Sequence, residues 1–232
     1  MAGDLDAVLR SAARLQELVP DAVLVGGSAA ALHAGHRHSH DHDHVLSDLA
    51  ERYAEVLEAL EASGGWVTSV RASSAPLTPL GTLDGIEAGL RQLRRARPLE
   101  VETHEIAPGR SVRVPPLEEM LRVKAFLVVQ RNATRDYLDT VALADRLGRE
   151  APISVLVGID DYYADRSGEQ DSVLTAVVTR LSEPTPRDTR TTRELHRYRG
   201  LDPRWHDWAA VTAACADLAD GLVERLEKGH GL

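Results

Sequence analysis

Apolar residues recur along the first stretch of the chain with the spacing of one helix face. Leu5, Val8, Leu9, Ala12, Leu15 and Leu18 fall three and four apart, so residues 4–18 predict an amphipathic helix. The continuous apolar run Ala22 to Val25 predicts a buried strand over 22–26, and the small residues that follow predict a short helix over 28–35. Residues 41–46 predict a further strand. Ser47 is placed to cap a helix running to about Ala62, and Gly64-Gly65 to end it. Trp66 to Arg71 predicts a strand, and 73–79 a turn-rich loop. Strands are expected near 82–92, 98–106 and 111–114, with Gly109 turning the last two into a hairpin. Pro115-Pro116 opens a helix to about Val129, and 133–147 predicts another that stops at Gly148. Beyond it, 150–165, 170–182, 189–198 and 205–228 predict helices, and 182–188, with two prolines, a connecting loop. Trp205 and Trp208, three apart, are expected to pack into this helical part. The whole predicts an α+β fold: a mixed sheet flanked by helices over residues 1–115, then a helical domain over 116–232.

Composition narrows the class. The chain has 232 residues with 43% hydrophobic and 4% aromatic content, so Leu, Val and Ala must build the core. One cysteine, Cys215, leaves no internal disulfide and fits a reducing cytoplasm. No apolar run approaches a membrane span, and the acidic N-terminal residues are unlike a secretory signal. A cytoplasmic protein without membrane attachment is the expectation. The net charge of −9 argues against a surface broadly coated by nucleic acid. Arginines nevertheless cluster at Arg91, Arg94, Arg95 and Arg97, and again from Arg180 to Arg204. These form either a local basic groove or a solvated surface paired with Glu183, Asp188, Glu194 and Asp202.

The chemistry concentrates in one segment. Val25-Gly26-Gly27-Ser28 is followed by Arg37-His38-Ser39-His40-Asp41-His42-Asp43. A Gly-Gly-Ser turn opening a helix presents free N–H groups and a positive dipole end, which suit a phosphate. Asp41 and Asp43 are two apart on a predicted strand and so share a face. Paired carboxylates suit a hard cation such as Mg²⁺, or Mn²⁺ in its place, and such a cation often brings phosphates with it. The joint pattern predicts a metal-dependent enzyme acting on a nucleoside triphosphate. His36, His38, His40, His42 and His44 recur at alternate positions. In an extended segment all five fall on the face opposite the aspartates, as a histidine metal site or as buried, hydrogen-bonded or surface residues.

Gly26, Gly27 and Ser28, with Asp41 and Asp43 about fourteen residues on, resemble the first motif of the polymerase-β-type nucleotidyltransferase superfamily. The form Arg37-x-Ser39-x-Asp41-x-Asp43 is most similar to AbiEii-like nucleotidyltransferases, many of which are toxins of toxin–antitoxin systems. Lys124 in Leu121-Arg122-Val123-Lys124-Ala125, then Arg135-Asp136-Tyr137-Leu138-Asp139, resembles that family's later helices. The likeness spans roughly residues 20–148. His42 and His44 depart from it, because the family places apolar residues beside each aspartate.

The resemblance implies a role for each position. Gly26, Gly27 and Ser28 hold the triphosphate, and Asp41 and Asp43 hold the metal. Arg37 holds nucleotide phosphates or stabilises the turn, with Ser39 beside the metal strand. The third carboxylate is Glu87, favoured over Glu100 and Glu102, or else Asp41 and Asp43 alone hold the metal. Lys124 is expected as a cation over the triphosphate, or as a lysine snorkelling from an apolar helix. Asp136, ranked above Asp139 because it follows Arg135 directly, is expected to orient Lys124 or Arg135 or to act on the acceptor hydroxyl, unless the two aspartates are a salt-bridging pair on the helix surface. The implied reaction is transfer of NMP from an NTP such as ATP to an acceptor hydroxyl. If the toxin likeness extends to substrate, the acceptor is the 3′ end of a tRNA and an antitoxin protein is a partner. The alternatives are a small-molecule, antibiotic-type nucleotidyltransferase and a catalytically silent relative that binds nucleotide or protein.

Overall fold

The computed structural model describes residues 3–164 and 172–230. Two compact units divide it. The first holds residues 1–32, 38–94 and 98–116; the second holds 33–37, 95–97 and 117–232.

The first unit begins with helix α1 (Gly3–Leu18), strand β1 (Val23–Val25) and helix α2 (Gly26–Ala34). Strand β2 (Asp41–Leu46), helix α3 (Leu49–Ala62) and strands β3 (Trp66–Thr68), β4 (Leu80–Leu83) and β5 (Ile86–Gln92) follow. Five strands form one mixed sheet in the order β1-β2-β5-β4-β3. β2 and β5 run parallel in the centre, and the other neighbours pair antiparallel. The core lies on one face, where Leu15 of α1, Val19 just after it, Val56 and Leu60 of α3 and Leu46, Leu83 and Leu90 of the sheet are buried together. Burying this apolar set is what fixes strand register. Strands β6 (Glu102–Ala107) and β7 (Arg110–Val114) form a separate hairpin turned at Gly109. Gln16 of α1 ties to this hairpin: its Oε1 accepts from Arg113 N at 2.7 Å and its Nε2 donates to Arg113 O at 2.9 Å.

The second unit is helical. It contains α4 (Leu117–Arg131), α5 (Thr134–Leu147), α6 (Ala151–Val157), α7 (Ile159–Tyr163), α8 (Val173–Ser182), α9 (Thr189–Arg193) and α10 (Trp208–His230). The N-terminus of α5 has Ala133 at its cap, which offers no side-chain oxygen. Asp188 supplies that oxygen instead, accepting from Thr134 N at 2.8 Å and Thr134 Oγ1 at 2.9 Å. Tyr137 is fully buried and donates to Asn132 Oδ1 at 2.6 Å. Trp208 meets the Tyr137 ring edge-on, and Trp205 is buried, so both tryptophans pack as expected.

The α+β class stands as expected, and several boundaries differ. The strand expected over 82–92 is two strands, because Asp84 and Gly85 both take positive φ (51° and 83°) and turn a hairpin. Ser47 does not cap α3; Asp48 occupies the cap position, with its carboxylate engaged by Arg52 rather than by the helix backbone. The strand from Trp66 ends at Thr68, where Ser69 begins a turn that receives the Ala72 and Ser73 N–H groups. The helix expected over 150–165 breaks at Gly158 into two. The ends of the expected segments 150–165 and 170–182 that fall within 165–171 lie outside the described residues.

Candidate functional site

Strand β2 alternates strictly between half-buried and buried positions. Asp41, Asp43 and Val45 face one way; His42, His44 and Leu46 face the core. β1 pairs Val25 with Asp43, and β5 pairs Glu87 with Asp41, Gly89 with Asp43 and Arg91 with Val45. In a parallel ladder, paired residues share a face. The open face therefore carries Asp41, Asp43, Glu87 and Arg91 together.

Each aspartate is positioned by near neighbours. Ser39 Oγ donates to Asp41 Oδ1 at 3.1 Å, and the buried Ser28 hydroxyl donates to the Asp41 carbonyl oxygen. Arg91 Nε donates to Asp43 Oδ1 at 3.3 Å. Gly26 opens α2 with φ of 74°, and a Cβ there would lie 3.3 Å from Asp43 Oδ2. The N-terminal turn of α2 therefore lies against Asp43, its first N–H groups without intrahelical partners. Gly89 matters by size: a Cβ there would fall 2.4 Å from Leu80 Cδ2 and 3.1 Å from Asp43 Oδ1. Beside the acids lies a cavity of about 420 Å³. Its floor is Asp41, Asp43, Glu87 and Arg91, and Val67, Thr68, Ser69, Ala72, Leu80 and Thr82 form its wall.

Two oxygen-donor side chains on one rigid strand, with a third in register on the next, are the donor chemistry that a hard divalent cation takes. Glu87 is exposed, and among the described residues no group of three or more His, Cys, Asp or Glu side chains is gathered as a metal centre. Glu102 begins β6, outside the five-stranded sheet, and Glu100 precedes it.

Behind the acids, His42 and His44 are buried in the first unit. Their rings meet edge-on with centroids 5.2 Å apart, and His42 Nε2 lies 3.0 Å from Ser11 Oγ. Burial pushes His42 down to about 4, against a smaller opposing pull from Asp41. Burial, reinforced by His42, holds His44 well below the ordinary histidine range. Both are neutral core residues filling the positions where the resembled family has apolar ones. The alternate histidines do not share one face, because the strand begins only at Asp41. His36 belongs to the second unit, where Nε2 lies 2.7 Å from Asp139 Oδ1.

The later motif forms a cluster within the second unit. Asp139, fully buried, receives Arg37 Nε at 2.8 Å and Arg37 Nη2 at 3.0 Å. Lys124 Nζ lies 2.7 Å from Asp139 Oδ2 and 3.6 Å from Asp136 Oδ1. Burial works against the Asp139 charge, but Arg37, Lys124 and the hydrogen bond from His36 outweigh it and hold the carboxyl well below the usual range. At Asp136 burial wins and the carboxyl is raised, with Lys124 and Arg131 only partly opposing it. Asp139 rather than Asp136 is thus the hub of the cluster. The sequence spacing places both on one helix face and cannot rank them; the ranking comes from Arg37 and His36, about a hundred residues earlier in the chain.

The arginine clusters are partly absorbed internally. Arg95 and Arg122 both engage the buried Glu119, and Arg97 and Arg122 lie over the Tyr162 ring at 3.7 and 4.0 Å. Arg190 and Arg197 share Glu194, and Arg204 pairs with Asp145.

No family model matches the chain. It is 27% identical over 248 aligned positions to the heme uptake protein MmpL11 of Mycobacterium tuberculosis, covering 95% of this chain and 23% of that protein. It is 30% identical over 132 positions to the mycolic acid-containing lipids exporter MmpL11 of Mycolicibacterium smegmatis, covering 57% of this chain and 13% of that protein. The chain thus spans about a quarter or less of the curated relatives it matches. Among solved structures, a "putative nucleotidyltransferase from H. pylori" matches with a TM-score of 0.54 at 15% identity, over 97% of this chain and 95% of that one. The fold is of the nucleotidyltransferase type. The antibiotic-resistance factor ANT(2'')-Ia matches with a TM-score of 0.50 at 14% identity, over 69% of this chain and 93% of that one. Among the described residues no helix is long and apolar enough to cross a membrane.

Proposed function

We propose that the chain is a metal-dependent nucleotidyltransferase, moving the nucleoside monophosphate of an NTP onto an acceptor hydroxyl. The observation that carries this reading is the acid pair on one face of β2 with the first turn of α2 set against it. Asp41 and Asp43 would hold Mg²⁺ or Mn²⁺, which when bound neutralises phosphate charge and orients an in-line displacement. The protein's own part is positioning. Ser28 and Ser39 fix Asp41 from the backbone and side-chain sides, and Arg91 fixes Asp43. The absent side chains at Gly26 and Gly27 let phosphate oxygens approach the N–H groups of α2. Catalysis would come from this preorganisation and from charge complementarity. Within the second unit, Lys124 is a cation whose charge Asp139 already matches, and Arg37 is held by the same carboxylate; their assignment to the nucleotide rests on the family resemblance. The RNA acceptor, the toxin role and the antitoxin partner rest on that resemblance too.

Calorimetric titration with Mg²⁺ and each NTP, beside α-³²P transfer assays on small hydroxyl compounds and on tRNA, tests the reading. Wild type should bind and transfer; Asp41→Ala/Asp43→Ala should do neither. Equal Mg²⁺-dependent nucleotide binding by both proteins would sink it.

The similarity of 95% of the chain to part of a much larger transport protein favours a second reading, a nucleotide-binding module that reports to a transporter without turning nucleotide over. Mg²⁺-dependent binding without release of pyrophosphate from any acceptor mixture would select it.

A further inference from the structure

Strand β3 is one edge of the five-stranded sheet and β1 is the other. β1 is buried along its length. β3 is open. Its central residue, Val67, is 68% exposed and Val70 just beyond it is 80% exposed, more than any other large apolar side chain among the described residues. No charged residue stands between Gly64 and Val70. Proteins blunt a solvent-facing edge with a lysine, a proline or a bulge; this one carries none of them.

The ladder on the inner side fixes which main-chain groups point outward. Asp84 N donates to Gly65 O at 2.9 Å and Ser69 N donates to Leu80 O at 2.8 Å. Between them the register pairs Trp66 with Leu83, Val67 with Thr82 and Thr68 with Gly81. Bonded and non-bonded pairs alternate in an antiparallel ladder. Val67 therefore directs its N–H and C=O toward β4, while Trp66 and Thr68 direct theirs away from it. Among the described residues no strand receives them.

We propose that a second copy of this chain pairs with this edge, antiparallel, about a two-fold axis through Val67. The edge is self-complementary in that register. With Val67 opposite its own copy, Trp66 lies opposite the second copy's Thr68 and Thr68 opposite its Trp66. Each of these pairs exchanges both main-chain bonds, so every outward group of β3 is used. Val67 meets Val67 as a non-hydrogen-bonded pair, the closer kind, with Cα atoms about 4.5 Å apart. Charge agrees. The net charge of −9 makes copies repel over most of their surface, but this edge is neutral. Antiparallel pairing also brings the end of one β3 that leads to Arg71 beside the end of the other that is entered from Glu61 of α3. Both residues are exposed, and Glu61 reaches the strand, its carboxylate accepting from Thr68 Oγ1 at 2.9 Å.

Val67 pairs with Thr82 and Thr82 with Glu87, so Val67 shares the open face of the acid pair, and it lines the cavity. Joined at this edge, the two sheets become one, both cavities open on the same side, and each Val67 abuts the other's cavity wall. A two-fold contact is saturated by one partner, so assembly stops at the dimer.

Sedimentation of the full chain over a range of concentrations reads the assembly. A 25.3 kDa species should give way to one of twice that mass and none larger. Val67→Lys and Val67→Glu each set like charges opposite one another and should raise the dissociation constant about tenfold or more; mixed, the two variants should dimerise again. Val67→Cys should cross-link to its own copy under mild oxidation, because paired Cα atoms at that spacing suit a disulfide. Val101→Cys, exposed elsewhere in the first unit, should not, and the native Cys215 is buried. In amide exchange Trp66 and Thr68 should gain protection with concentration, and Val67, bonded to β4 throughout, should not change. A monomer at every concentration up to about 1 mM, the result if the edge serves a strand of another protein or none, would overturn the proposal. So would a dimer indifferent to Val67→Lys, or protection gained at Val67 and not at Thr68.

Discussion

Asp43 and Asp139 are the same residue type held in opposite ways. Asp43 stands on an open sheet face, 30% exposed, with one long contact to Arg91. Asp139 is completely enclosed and surrounded by Lys124, Arg37 and His36. A carboxylate whose charge is already matched inside the fold stabilises the fold; one left facing a cavity can hold something that arrives. The contrast sets an open carboxylate apart from a charge-matched one more sharply than the motifs do, because both aspartates belong to motif-like stretches.

Removing each charge should expose the difference most strongly. Asp139→Asn strands Lys124 and Arg37 in a buried site and should cost about 3–5 kcal/mol of stability. Asp43→Asn should stay within about 0.5 kcal/mol of wild type while abolishing Mg²⁺-dependent nucleotide binding. Urea unfolding of both variants checks this, and equal losses would erase the contrast.

Acid should act on the two units in sequence. The folded pKa of His42 lies below its unfolded value, so the stability it contributes is complete above about pH 6.5 and declines as pH falls toward about 4, on the order of 3 kcal/mol in all. The Asp139 carboxyl is also held low, but its contribution persists until pH falls below about 3.9, the unfolded carboxylate value. Asp136, raised by burial, has the opposite sign and gains slightly on acidification. Amide exchange at pH 4.5 should therefore show His44 losing protection before Tyr137; the reverse order would contradict the assignment.

A smaller effect concerns His44, whose buried Nε2 has no hydrogen-bond partner among the described residues. His44→Leu should stabilise the first unit by about 1 kcal/mol, read as a raised melting temperature. A loss would show that the imidazole is satisfied after all.

The sheet and its acid pair were legible in the sequence because strand alternation is a local signal, and the inward histidines obey the same parity that turns Asp41 and Asp43 outward. The turn at Asp84-Gly85 was missed: the dipeptide is a strong hairpin signal, but the apolar residues on both sides read as one strand over 82–92. The Asp139 hub was not legible. Its partners Arg37 and His36 are distant in sequence, and no periodicity links residue 37 to residue 139. The cap on α5 is hidden for the same reason, since Asp188 reaches it from 54 residues away. The cavity wall depends on the packing of the β3–β4 connection, which is a turn-rich stretch without periodic pattern.

Gly89 and Leu80 carry a consequence for inheritance. A methyl group at this glycine would fall 2.4 Å from Leu80 Cδ2, so alanine requires the leucine side chain to turn aside. Descendants of this sequence should therefore carry alanine at position 89 more readily beside a trimmed residue at position 80. The pair would surface as a second-site suppressor: Leu80→Val should relieve what Gly89→Ala costs alone. A selection for such revertants would locate the floor of the cavity by genetics, with no ligand in hand.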